Sequence, residues 1–324
     1  MQYTTLGRTG LSVSRIAFGT WQLGGEWGSF DADDAVAAIR RARELGVTFF
    51  DTAQGYGFGA SEELLARGLA PELKGDRDSV VIATKGGIDP GGPRPRNAGR
   101  DYLRAGVESS LRALGVDHID LYQVHWPDEQ TPAEETASAL QEMVDEGKIR
   151  HVGVSNYDVA QLAAFEAVRP VESLQPPYHL FQRGIEADIL PYCRAHDIGV
   201  LVYSPLASGL LTGTWTADVT FDDSDWRSKA TAFHGDALRR NLAVVDELKA
   251  FAAGKGISVA QLAIAWVLAQ PGVHVAIVGA RRPRNIADSL AAADVALTPD
   301  DLARIDEITA DAVQFVGASP EGVA

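Results

Sequence analysis

The chain has 324 residues, enough for one large α/β domain or two ordinary ones, and 46% of them are hydrophobic, enough for a sizeable core. A formal net charge of −15 argues against a nucleic-acid or anionic-membrane surface, and no apolar run reaches the length of a membrane span. Cys193 is the only cysteine, so no intrachain disulfide can form and a packed thiol is expected. The opening stretch MQYTTLGRTG lacks the sections of a signal peptide, and a reducing cytoplasm is the expected home.

In chain order, the residues up to about Val13 suggest a hairpin that plugs the bottom of a barrel. Short β-rich runs then alternate with amphipathic stretches. Strands are expected at Arg15–Gly19, Val47–Asp51, Val80–Lys85, Ile119–His125, Ile149–Ser155, Glu172–Gln175, Gly199–Ser204 and Val273–Gly279. Between them helices are expected at Ala35–Leu45, Glu62–Leu69, Arg100–Leu114, Ala133–Glu146, Val159–Val168, Ile185–Ala195, Asp236–Ala253 and Pro283–Ala291, with a further one over Ser258–Gln270 before the last strand. Almost wholly apolar strands imply cover on both faces. About eight such βα units predict a (β/α)8 TIM barrel, here one domain over residues 1–324. A doubly wound sheet is the alternative, and it is disfavoured because polar residues end nearly every strand instead of gathering at one switch point. Two long loops, 86–99 and 206–235, are expected at the C-terminal face as lids or binding loops.

Those strand ends carry the functional signal. Asp51 follows VTFF, Lys85 follows VVIAT, His125 follows IDLYQV, Ser155 follows HVGV, Gln175 follows ESL and Tyr203 follows GVLV, while the last strand ends at Gly279 and leads into an arginine cluster. In a closed βα barrel the catalytic groups lie at the C-terminal strand ends. Singly, Asp51 could be a turn residue, Lys85 a solvated charge, His125 a core histidine, and Ser155 with Asn156 a helix cap. Together they describe an active site. No His or Cys pair has zinc-site spacing, and no P-loop or G-x-S-x-G elbow occurs, so no metal is expected. Gly55, Gly57 and Gly59 have the wrong spacing for a dinucleotide fingerprint and instead shape the loop that carries Tyr56.

The stretches LGRTGLSVSRIAFGTWQLGG, FFDTAQGYGFGASEELLARGL, VVIATKGG, HIDLYQVHWPD, GKIRHVGVSN, VYSPLASGLLTG and VGARRP, in that order, resemble the aldo-keto reductases along nearly the whole chain. HWPDEQTPAEET and FDDSDWRS resemble the bacterial branch related to stress-protein and inositol-cluster reductases. The resemblance implies an NADP-dependent oxidoreductase that reversibly reduces an aldehyde or ketone to the alcohol. It implies a catalytic tetrad of Asp51, Tyr56, Lys85 and His125. Tyr56 is the expected general acid and base. A free tyrosine, with a pKa of about 10, exchanges its proton poorly near neutrality, and a lysine cation beside it favours the ionised phenol. Asp51 would orient Lys85, and His125 would hydrogen-bond the substrate oxygen.

The resemblance further assigns the nicotinamide carboxamide to Ser155, Asn156 and Gln175, ring stacking to Tyr203, and the pyrophosphate to Ser204, Pro205, Leu206, Ser208, Gly209, Leu210 and Leu211. Thr20, Trp21 and Asp51 join the cofactor set. Arginines at a helix start oppose the macrodipole unless an anion sits there, so the groove element that runs from Gly279 to Asn285 points to a 2′-phosphate and NADP(H), with Arg281 and Asn285 as the expected phosphate contacts. Asp288 resembles the family's adenine-side acid, while Asn285 and Ser289 stand where the family often has Gln or Arg, and Asn. Trp21, Tyr56, His125 and Trp126 are the expected substrate wall, with Trp27, Trp215, Trp226, Phe233 and Arg227 as looser candidates around it. A small carbonyl or alcohol is the expected partner. An alternative remains in relatives of this fold that act as redox-sensing channel subunits with slow turnover, and a non-redox lyase barrel would leave Ser155, Gln175 and Arg281 unexplained.

Overall fold

The computed structural model describes residues 1–25, 27–223 and 225–315. Tyr3–Thr5 (β1) and Ser12–Ser14 (β2) form an antiparallel hairpin. Then follow Ile16–Gly19 (β3), Ala32–Glu44 (α1), Phe49–Asp51 (β4), Ala60–Gly68 (α2), Ala70–Lys74 (α3), Val81–Gly86 (β5), Arg100–Leu114 (α4), Ile119–Val124 (β6), Ala133–Asp145 (α5), Ile149–Ser155 (β7), Val159–Glu166 (α6), Ser173–Gln175 (β8), Ile189–Ala195 (α7), Gly199–Val202 (β9), Gly235–Gly254 (α8), Val259–Ala269 (α9), Val275–Gly279 (β10), Pro283–Leu290 (α10) and Pro299–Thr309 (α11). Strands β3 to β10 pair in parallel and close as β10-β3-β4-β5-β6-β7-β8-β9. This is the (β/α)8 TIM barrel expected from the alternation of runs.

The two-residue period of the strands sorts their apolar side chains into two cores. Phe50, Ile82, Tyr122, Val152, Leu174, Val200 and Val278 face outward and join the helices in one large apolar cluster. Ala17, Phe49, Val81, Ala83, Leu121, Leu201, Val275 and Ile277 face inward and form a second cluster with Leu6 and Val13 of the hairpin. The hairpin therefore stoppers the lower end of the barrel. One step of two further up, the same inward rows become polar, at Asp51 after Phe49, Lys85 after Ala83 and Gln123 after Leu121. Backbone periodicity alone thus builds an apolar floor and a polar chamber.

Several element ends differ from the sequence expectation for local reasons. The strand expected to reach Ser204 stops at Val202, because Tyr203 keeps only an isolated bridge to Pro177 and Ser204 turns left-handed. The helix expected over Ile185–Ala195 is a 3₁₀ turn, Gly184–Glu186, followed by α7, which Asp188 caps. Helix α1 starts earlier than expected because the Asp31 side chain accepts from the backbone N–H of Asp33 and Asp34. Helix α11 was not anticipated, although its capping box of Thr298 and Asp301, with a proline in the first turn, is legible. Cys193 is fully buried on α7, and burial pushes its thiol up to about 12, as expected of a packed cysteine.

Candidate active site

The polar chamber centres on Lys85, which is fully buried. Its Nζ donates to Asp51 Oδ1 at 2.6 Å, to the Thr52 carbonyl at 2.9 Å and to the Tyr56 hydroxyl at 3.3 Å. Asp51, only 3% exposed, spends its other oxygen on amides: Gln175 Nε2 at 2.9 Å and Gln123 Nε2 at 3.5 Å. Burying a charged pair is tolerable when every lone pair and proton is matched in this way. The His125 ring stands edge-on to Tyr56 with centroids 5.5 Å apart. All four members of the expected tetrad are therefore gathered at one point.

The loop that brings Tyr56 there depends on its glycines. Gly57, Phe58 and Gly59 take successive positive φ values of 64°, 48° and 104°. A Cβ on Gly57 would come within 2.7 Å of the Gly24 carbonyl oxygen, so the loop is locked against the segment after β3. Ser61 adds a second lock, with its Oγ 2.7 Å from the Thr20 hydroxyl and 3.0 Å from the Thr20 carbonyl oxygen.

A cavity of about 820 Å³ opens above the chamber and runs from Tyr56 to the start of α10, within the range of small-molecule and cofactor sites. Trp21, Asp51, Tyr56, His125, Ser155, Asn156, Gln175, Tyr203, Ser204, Pro205, Leu206, Ser208, Gly209, Gly279, Arg281, Asn285 and Asp288 all line it. Thr20, Leu210 and Leu211 do not. Thr20 is fully buried against Ser61, and Leu211 faces the apolar core. Trp126 also lies off the cavity, its ring under the Arg96 guanidinium at 4.3 Å. Of the looser candidates, Trp27 and Arg227 line it, while Trp215, Trp226 and Phe233 pack around Arg227 and Trp21. Ser224 of the FDDSDWRS stretch lies outside the described residues.

Sequence reasoning missed Gln22, Ser29, Phe30, Asp31, Asp34 and Ala260, which also line the cavity. No motif marks them; barrel closure brings the β3–α1 segment and the start of α9 beside the β10 end. It also missed Glu62, which is fully buried on the outer face of β5 and accepts from Thr84 Oγ1 at 2.6 Å. Burial holds the Glu62 carboxyl above the ordinary carboxylate range, against the Thr84 bond, the influence of the nearby Ser110 hydroxyl and the charge of Lys85.

Two features of the cavity suit a dinucleotide. First, the segment after β9 holds Ser204, Ala207, Ser208 and Gly209 at φ of 56°, 48°, 54° and 109°. Left-handed non-glycine residues persist only where the surroundings force them, and such runs turn backbone N–H groups toward an anion. Arg227 fixes this segment by donating to the Ser208 carbonyl at 3.0 Å while Asp225 holds its other nitrogens. Second, Arg281, Arg282 and Arg284 cluster at the far end. Burial, then the charges of Arg227 and Arg282, lower the pKa of Arg281, with Asp225 opposing. A phosphate would relieve that crowding of cations. At the other end Tyr203 donates to Asn156 Oδ1 at 2.9 Å and Ser155 to the Gln175 carbonyl at 2.8 Å, so the expected carboxamide set forms one connected patch.

The aldo/keto reductase family model matches residues 15–310. The chain belongs to that family. Among known proteins it is 43% identical to the aldo-keto reductase YhdN of Bacillus subtilis (strain 168) over 289 residues, 88% of this chain and 87% of the other. It is 32% identical to the NADH-specific methylglyoxal reductase of Escherichia coli (strain K12), covering 95% of this chain and 98% of that one. Among solved structures, the glycerol dehydrogenase AKR11B4 from Gluconobacter oxydans superposes with a TM-score of 0.86 at 39% identity, covering 95% of each chain. An aldo/keto reductase from Klebsiella pneumoniae in complex with NADP and acetate gives 0.73 at 31%, covering 98% of each. Membership makes this reductase an oxidoreductase of small-molecule carbonyl compounds that binds a nicotinamide cofactor. Among the described residues no single helix is long and apolar enough to cross a membrane, and no cluster of metal-ligating side chains occurs.

Proposed function

We propose that the protein is an NADPH-dependent carbonyl reductase in which Tyr56 moves the proton. The observation that carries this reading is the contact of Lys85 Nζ with both Asp51 and the Tyr56 hydroxyl, at 2.6 and 3.3 Å. A cation at hydrogen-bond distance favours the ionised phenol, so Tyr56 can surrender its proton to a carbonyl oxygen near neutrality. Asp51 keeps Lys85 charged and aimed, and Gln123 and Gln175 keep Asp51 from turning away. His125 sits beside Tyr56 to orient the same oxygen. A bound nicotinamide supplies the hydride to the carbonyl carbon. The alcohol forms when Tyr56 protonates the oxygen, and the phenolate that remains is reprotonated from solvent. In reverse, the Tyr56 phenolate takes the alcohol proton.

Ser155, Asn156 and Gln175 would hold the carboxamide, Tyr203 would flank the ring, the left-handed Ser204–Gly209 segment would receive the pyrophosphate, and Arg281 with Asn285 would hold a 2′-phosphate. The arginine cluster favours NADPH over NADH, since NADH leaves those cations without an anion.

Fluorescence titration with NADPH and NADH, on wild type and Arg281→Ala, tests the cofactor reading. NADPH should bind tighter, and the variant should lose at least about tenfold for NADPH alone, as expected for a charge-assisted contact. Equal losses for both nucleotides would refute the phosphate assignment. Tyr56→Phe should lower kcat for a small aldehyde by about 10²-fold or more while leaving nucleotide binding intact, and undiminished turnover would sink the mechanism.

A further inference from the structure

Arg281 has a second set of contacts that no nucleotide explains. Its Nη1 donates to the Trp27 carbonyl at 3.1 Å and to the Ser29 carbonyl at 3.2 Å. These carbonyls belong to the segment between β3 and α1, which carries the wall over the reacting centre. Trp27 packs edge-on against Trp21, with centroids 4.9 Å apart, and against Trp226 at 5.8 Å. Trp21 in turn lies nearly parallel to the Tyr56 ring at 6.3 Å. A continuous run of contacts therefore leads from the Arg281 guanidinium to the catalytic phenol.

The segment needs such a tether. Gly25 and Gly28 lie on either side of Trp27 with φ of 105° and 76°, and a Cβ at either would meet nothing within 4 Å among the described residues. Among the described residues the Trp27 ring is held by Trp21, Trp226 and the Arg227 guanidinium over it at 4.8 Å, and its backbone carbonyl by Arg281. The stoichiometry of donors also fits. A guanidinium has five N–H groups, and Nη1 uses its two on the carbonyls, leaving the three on Nε and Nη2 for an anion. Lysine, with one nitrogen, cannot bridge two carbonyls and an anion in fixed directions.

We infer that Arg281 is a positioning residue for the carbonyl site as well as an anion contact, and that it couples occupancy of the 2′-phosphate position to the order of the Trp21–Trp27 wall. This rests on the NADPH reading above. An anion that fixes the guanidinium fixes the two carbonyls on its other side, and such a coupling must act equally in both directions. A carbonyl substrate pressed against the wall should thus see a better-formed site with NADPH than with NADH.

The test compares wild type, Arg281→Lys and Arg281→Ala by amide hydrogen exchange of the 21–31 segment, with no nucleotide, with 2′,5′-ADP and with 5′-AMP. In wild type, 2′,5′-ADP should slow exchange in this segment by about fivefold or more and 5′-AMP should not. Both variants should exchange faster than wild type without any ligand and should show no response to 2′,5′-ADP. A parallel kinetic readout uses NADH as donor and 4-nitrobenzaldehyde as substrate. Arg281→Lys should raise KM for the aldehyde about threefold to tenfold, the size of one or two lost hydrogen bonds, with a smaller change in kcat. Wild-type exchange in Arg281→Lys, even with weakened 2′,5′-ADP binding, would overturn the bridge and leave the NADPH reading standing. Loosening of the segment in the variants of a protein that does not bind 2′,5′-ADP would overturn the coupling and the NADPH reading together.

Discussion

The two faces of β5 handle a buried acid in opposite ways. On the inner face Asp51 meets the Lys85 cation and two amide donors, and every partner is within 3.5 Å. On the outer face, one residue earlier in the strand, Thr84 meets Glu62, whose second oxygen has no partner among the described residues and whose carboxyl burial drives toward the neutral form. Both acids are nearly inaccessible to water. The difference shows that burial alone does not decide the state of a carboxyl group. Asp51 has a matched cation and directed amides, whereas Glu62 has one hydroxyl bond, and there desolvation prevails.

The largest effect should come from breaking the inner pair. Lys85→Met leaves Asp51 without its cation and should cost about 3–5 kcal/mol of stability, together with a loss of turnover of at least about 10²-fold. The double variant Lys85→Met/Asp51→Leu should recover most of that stability and none of the turnover, because a buried pair replaced by apolar groups is close to neutral. Urea unfolding of the three proteins checks this, and a double variant as unstable as the single one would show that the chamber is held by something other than charge matching.

Glu62→Gln sharpens the comparison from the outer side. A carboxyl whose value is raised in the folded protein supports folding fully below its unfolded value, and that support drains away as pH rises through the folded value. Glu62→Gln should therefore match wild type near pH 4.5 and become progressively more stable than it toward neutrality, with turnover changed less than about threefold. A stability difference independent of pH would mean that the Glu62 carboxyl is not raised in the folded protein.

A smaller acid-side effect is expected at His179, which burial pushes down to about 3. Its Nδ1 accepts from the Phe181 backbone N–H at 3.2 Å, and its ring packs against Phe315 at 5.1 Å. With the folded value below the ordinary 6.5, its contribution is complete above pH 6.5 and is lost as pH falls toward about 3. His179→Gln, which keeps an acceptor, should flatten that limb of the stability profile. An unchanged acid limb would locate the acid sensitivity elsewhere.

Much of this was legible in the chain itself. A period of two places Asp51, Lys85 and Gln123 on the same inward rows as the apolar floor, and downstream strand ends, where Gln175 also lies, are where βα barrels keep their chemistry. The tetrad and most of the expected cofactor groove could therefore be named from local spacing and resemblance. Neighbourhoods between distant segments were not legible. Arg281 touches Trp27 and Ser29 across some 250 residues because barrel closure sets β10 beside β3, and no window of sequence contains both. The Trp126 ring, one residue past His125, lies under Arg96 from the loop after β5, a neighbour that no local stretch of sequence reveals. Glu62, the first residue of a helix expected at Glu62–Leu69, has no local signal that marks it, and only packing encloses it. Periodicity and caps are short-range properties, fixed by backbone geometry within a few residues. Which side chains meet across the barrel, and whether a buried acid finds a cation there, is decided only when the sheet closes and water leaves.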